Sequence, residues 1–127
     1  MTGHSPRPTR QYGGIDADQR RAERREKFLA AGLEAFGVLG YGQATIKGIC
    51  QSAGLTERYF YESFENKEDL LCAVFRRLIE ELETGARLIL ETPGLSPETA
   101  ASQILKGFYL RFLQDPRRAR VQLFEIL

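Results

Sequence analysis

The sequence predicts an all-α protein: an N-terminal three-helix helix-turn-helix domain, a long linking helix, and the start of a further helical domain. Three observations lead there. Apolar residues recur at helical spacing along most of the chain. Capping residues stand where each such run begins, and glycine or proline where it stops. No alternating apolar run bounded by turn chemistry suggests a strand.

Residues 1–15 hold Gly3, Pro6, Pro8, Gly13 and Gly14 with little aliphatic content, a composition that cannot offset the entropy of ordering it. A flexible arm is expected there. Between residues 7 and 27, seven basic side chains face four acidic ones, so a net +3 gathers at this end. Asp16 or Asp18 can cap a first helix that runs to about Leu39, with Gly40 as a left-handed stop. Its apolar face is Phe28, Leu29, Gly32, Ala35, Phe36 and Leu39. The charged run from Arg20 to Lys27 reads as a solvated face, with backbone contact to a nucleic acid as its second reading. Arg7 and Arg10 could enter a minor groove.

Thr45 is placed to cap a short helix bearing Ile46, Ile49, Cys50 and Ala53, which Gly54 ends. Thr56 can cap a second short helix whose Phe60 and Phe64, four apart, anchor it to a core. Two short helices across a glycine turn make a helix-turn-helix. Asn66 caps the next helix, with Glu68 and Asp69 complementing its dipole. Its stripe from Leu70 through Leu71, Val74, Phe75, Leu78 and Ile79 to Leu82 is wide enough to need contacts on more than one side. Ser96-Pro97-Glu98 starts another helix as N-cap, N1 and N2. Phe108 and Phe112 on it are core by default. Asp115-Pro116 repeats the signal, and Ala119, Leu123, Phe124 and Leu127 begin an apolar face that the last residue leaves in mid-pattern.

The 127 residues, 43% hydrophobic, suffice for one domain or slightly more. A chain of this length buries roughly two-thirds of its unfolded surface, enough for a core without disulfides or metal. Cys50 and Cys72 form neither a zinc pattern nor a disulfide framework and are expected to be packed thiols in a reducing cytoplasm. No apolar run approaches the ~18 residues of a membrane span, and the N-terminus lacks a secretory signal. His4 stands alone, so neither metal nor other cofactor is expected. No nucleophile, base and orienting group recur at a motif spacing, which argues against an enzyme. The net charge of +1 gives no bulk signature of nucleic-acid binding.

That binding has to be read locally. A helix entering the major groove must offer polar groups on its solvent face. With Phe60 and Phe64 turned inward, Thr56, Glu57, Arg58, Tyr59 and Ser63 are left to face outward, and Tyr61 and Lys67 flank them within reach of phosphates. Thr45 adds a hydroxyl at a helix N-terminus, where backbone N–H groups favour phosphate.

The spaced set Phe36, Gly40-Tyr41, Thr45-Ile46, Ile49, Ala53-Gly54-Leu55-Thr56, Phe60-Tyr61, Phe64 and Lys67-Glu68-Asp69-Leu70-Leu71 resembles the N-terminal region of the TetR family of transcriptional regulators. The likeness extends from Phe28 to about Phe75. It implies a ligand-responsive regulator, most often a repressor, that acts as a homodimer on a palindromic operator in double-stranded DNA. In that resemblance Thr45 and Lys47 lie near phosphate, and Thr56, Glu57, Arg58 and Tyr59 occupy the variable recognition surface. Tyr61 and Lys67 match backbone-contacting positions. Residues 16–66 would be the DNA-binding domain and 67–127 part of a ligand-binding and dimerisation domain, the chain appearing truncated and the fragment dimerising weakly or not at all. Gly48, Cys50 and Arg58 depart from the usual pattern without breaking a helix. The competing reading is a helical protein-interaction module that has lost operator binding, distinguished by the absence of any DNA protection.

Overall fold

The computed structural model describes residues 6–125. Among them are six α-helices and no strand: α1 (Pro6–Glu34), α2 (Ile46–Ala53), α3 (Glu57–Ser63), α4 (Lys67–Leu90), α5 (Pro97–Gln114) and α6 (Pro116–Arg120). α1 widens into a π-helical turn, Ala35–Leu39, and α6 into another, Val121–Glu125. None of the described helices is long and apolar enough to cross a membrane.

α1 begins at Pro6 rather than at Asp16 or Asp18. Prolines in a first turn remove N–H groups that have no helical acceptor anyway, and each further residue added to a formed helix gains a backbone hydrogen bond. The helix thus extends back through residues 6–15, where the sequence suggests an arm. The first five residues of the chain with His4, the side chains of Arg7, Arg10 and Phe124, and all of Leu127 lie outside the described structure. Gly40 ends the π turn with φ 89° and ψ 157°, an extended left-sided conformation rather than a left-handed helical stop.

The other caps form where the sequence places them. Thr45 Oγ1 accepts from the Gly48 N–H at 3.0 Å, and Asn66 Oδ1 from the Asp69 N–H at 2.7 Å. Ser96 Oγ accepts from the Thr99 N–H at 3.1 Å, and Asp115 Oδ1 from the Arg117 N–H at 3.2 Å. Thr56 is the exception. It stands at the N-cap of α3, but its side chain makes no capping bond.

One continuous core joins α1, α2, α3, the first half of α4 and Val121. Phe28 lies at its centre, edge-on to Phe60 at 5.5 Å and to Phe64 at 6.3 Å, an arrangement the ring quadrupoles favour. Gly32 lets α1 approach α4, since a Cβ there would stand 3.0 Å from Leu70 Cδ2 and 3.1 Å from Val74 Cγ2. Cys50 is buried as expected. Cys72 is not: it lies on the outer side of α4, exposed.

α5 departs furthest from expectation. Of its residues only Ala100 is buried. Phe108 packs on Phe112, ring centroids 4.5 Å apart, yet remains 40% exposed. Helical spacing marks an apolar face, but only a covering element makes that face a core, and among the described residues α5 is backed mainly by α4 and α6.

Candidate nucleic-acid interface

α2 and α3 meet at a tight corner. Gly54, at φ 72°, closes α2 with its N–H on the Gln51 carbonyl, and the Leu55 N–H returns to the Cys50 carbonyl. This pair of bonds is a Schellman ending, in which a left-handed glycine avoids the Cβ clash. α3 then lies with Phe60 fully buried and Thr56, Glu57, Arg58 and Tyr61 exposed. Thr45 and Lys47, at the start of α2, are exposed as well.

Three expected outward groups turn out to be partly inward. Tyr59 is half-buried against the core, with the Arg24 guanidinium 4.3 Å above its ring. Ser63 is half-buried, and its carbonyl accepts a long bond, 3.5 Å, from Arg25. Lys67 is also half-buried: its Nζ donates to the Tyr41 carbonyl at 2.8 Å and to the Ala44 carbonyl at 3.0 Å, and lies 4.2 Å from the Tyr41 ring centroid. An ammonium has three N–H donors, so two hold the turn that leads into α2.

The basic run on α1 acts on the same helix. Arg24 Nη2 donates to Glu62 Oε1 at 2.9 Å, and Arg21 Nε stands 3.6 Å from the same oxygen. The hydrogen bond from Arg24 holds the Glu62 carboxyl below its ordinary range. Arg25 lies 4.7 Å from the Phe64 ring centroid. These arginines clasp α3 to α1. Arg24 and Glu62 are 38 positions apart, so no local spacing foretells the pair.

Residues 28–74 match the tetR family of bacterial regulatory proteins. Over this segment the chain is similar to the tetR family. That family consists of transcriptional regulators and not enzymes. The chain is 36% identical over 72 residues to the HTH-type transcriptional activator FasR of Mycolicibacterium smegmatis, an overlap of 57% of this chain and 33% of that protein. It is 31% identical over 87 residues to the HTH-type transcriptional regulator YdgC of Bacillus subtilis, covering 65% and 43% of the two chains. Among solved structures, the fatty acid degradation regulator FadR of Bacillus halodurans shares the fold with a TM-score of 0.74 at 22% identity, over 80% of this chain and 53% of that one. A gamma-butyrolactone receptor superposes with a TM-score of 0.72 at 26% identity, over 82% and 51%. The chain thus spans less than half the length of these curated relatives and about half that of the solved structures.

Beyond the segment similar to the tetR family, α4 and α5 border a half-open cavity of about 330 Å³. Leu82, Ile89, Ile104 and Phe108 form apolar walls, while Glu81 and Arg111 supply charge. α6 ties this region back to α1. Glu81 Oε1 accepts from Arg111 at 3.2 Å and from Arg118. Arg118 Nε also stands 3.6 Å from Asp115, whose other partner, Arg117, bridges on to Glu34. The Arg117 hydrogen bond holds the Asp115 carboxyl below its ordinary range, and its partners raise Arg117 in turn. Farther on, Arg120 donates to the Val38 carbonyl at 3.0 Å, and Glu125 Oε1 accepts from the Tyr41 N–H at 2.9 Å. Arg120 Nε in turn stands 3.4 Å from Glu125 Oε1, so these bonds and the α6 backbone together join the cavity wall to the Tyr41 turn, and helical periodicity alone gives no sign of it. Among the described residues no cluster of His, Cys, Asp and Glu could hold a metal ion.

Proposed function

We propose that this chain is the reading head, with part of the regulatory domain, of a ligand-responsive repressor that binds double-stranded DNA as a homodimer. The observation that carries the reading is the outward set Thr56, Glu57, Arg58 and Tyr61 on a short helix braced from beneath by Phe60 and from the side by Arg24. α3 would enter the major groove, with Arg58 and Glu57 offered to base edges. Thr45, Lys47 and Tyr61 would meet phosphate, which fixes register without conveying sequence. Lys67 would act by positioning the turn rather than by neutralising a phosphate. Two such heads related by a two-fold axis would read half-sites about 34–36 Å apart, hence a palindromic operator.

The cavity between α4 and α5 is the effector site in this reading. Its link through α6 to Glu34, Val38 and Tyr41 supports a coupled response, because an effector that prefers one arrangement of α6 shifts the heads toward it. Two similar proteins are named for small molecules, a fatty acid degradation regulator and a gamma-butyrolactone receptor, and this agrees with an effector of modest size.

Footprinting on the promoter region of its own gene tests the reading. Two protected half-sites one helical turn apart are expected, with reporter expression falling on occupancy. Absence of protection even at low salt would establish the interaction module instead.

A further inference from the structure

We propose that the cavity between α4 and α5 selects an anionic amphiphile, a carboxylate on an apolar tail, with Arg111 receiving the acid group. This rests on the reading of that cavity as the effector site. Its walls favour an apolar tail: Leu82, Ile89, Ile104 and Phe108 border the space, and Gly85 and Gly107 leave it open, since a Cβ at either would meet no atom within 4 Å. Pockets that hold small ligands are mostly apolar with a few polar groups that fix orientation. Arg111 is the one cation in this lining.

The charge geometry decides the sign. Arg111 has five N–H donors and makes one described hydrogen bond, through Nη1, to Glu81 Oε1 at 3.2 Å. That oxygen is shared with Arg118. A ligand carboxylate could meet Arg111 with both oxygens, the stronger arrangement. Glu81 would then keep Arg118 and would not be left as an unpaired acid. A cationic headgroup faces the opposite balance, since reaching Glu81 means displacing two guanidinium groups. Glu83, the other acid of the lining, is exposed to water.

Titration calorimetry of the whole chain with dodecanoate, dodecanol and dodecyltrimethylammonium, each below its micelle concentration, tests the proposal. Dodecanoate should bind about tenfold more tightly than dodecanol at low salt, with the gap narrowing as salt rises. Arg111→Gln should abolish the gap while dodecanol binding persists. Glu81→Gln removes the rival carboxylate and should widen the gap, a gain that impaired folding cannot produce. Equal affinity for dodecanoate and dodecanol, preference for the ammonium, or a gap unchanged in Arg111→Gln would overturn the anion assignment and leave the effector reading standing. Failure of all three probes to bind would overturn both.

Discussion

Replacing Lys67 with methionine separates a positioning role from a phosphate contact. The substitution keeps the apolar stem and removes the ammonium, leaving the Tyr41 and Ala44 carbonyls without their donors at 2.8 and 3.0 Å. Hydrogen bonds from a charged group contribute about 1.5–3 kcal/mol each when buried, and a cation over an aromatic ring at an exposed site about 0.5–1. Lys67 is half-buried and water can replace part of what is removed, so the net cost should be about 2 kcal/mol. For a chain of this size that corresponds to a Tm about 8 °C lower. Urea unfolding monitored by circular dichroism reads the stability directly. Binding to specific and random DNA across a salt series reads the phosphate interaction, because each phosphate no longer neutralised by the protein lowers the salt slope by about 0.9. A stability loss with nearly unchanged salt slope is expected. Unchanged stability with a slope reduced by one phosphate would refute the positioning role and restore Lys67 as a simple phosphate ligand.

Other substitutions divide the interface further. Arg58→Ala should weaken specific binding by about 1–3 kcal/mol while leaving random DNA nearly unaffected, measured by parallel mobility-shift titrations. Tyr59→Ala should instead lower thermal stability, because its ring lies between Arg24 and the core; an unchanged Tm with a selective loss of operator binding would return it to base reading. Gly37→Ala should disturb the α6 seam, since a Cβ there would stand 2.8 Å from Arg117 Cα, and a lowered Tm would show it. Acid titration should destabilise the fold through Glu26, held low by its hydrogen bond from Arg77, and Asp115, held low by Arg117. Their contribution is present above the ordinary values of 4.5 and 3.8 and is lost as pH falls through the lower folded-state values. Urea midpoints should therefore hold steady from neutrality to about pH 5 and fall below it, less steeply in Glu26→Gln with Asp115→Asn.

What was legible in the sequence was local. Thr45, Asn66 and Ser96 each bond an N–H three residues on, so the pattern that proposes the cap already contains both partners. Phe60 and Phe64 share a helical face for the same reason. Tyr59 and Lys67 could not be placed that way. Their orientation depends on Arg24 and on the carbonyls of Tyr41 and Ala44, which only the packing of α1 and α4 brings near. A tyrosine or lysine beside a recognition surface has an apolar body and a polar tip, and spacing alone does not say which end the fold will use. The exposure of α5 has a similar origin, since it depends on the number of neighbours and not on the helix itself.

The seam around α6 bears on how stability and regulation are related in this molecule. Val121 is fully buried in the same core as Phe28 and Phe60, and Glu125 bonds the backbone of Tyr41, 84 positions away. Tyr41 also accepts from Lys67, so one turn receives a bond from the start of α4 and gives one to the segment after α6. Any shift of α6 that lengthens the Glu125 bond therefore acts on the turn that aims α2, and α2 carries α3 through the Gly54 corner. On the proposed reading, a ligand in the cavity would not need to touch α3 to move it. It would need only to favour one arrangement of α6 over another, and the affinity ratio would set the limit on how far DNA binding could change. Weakening the seam should then lower stability and blunt the response together, whereas substitutions on the outward face of α3 should change DNA affinity with both left intact.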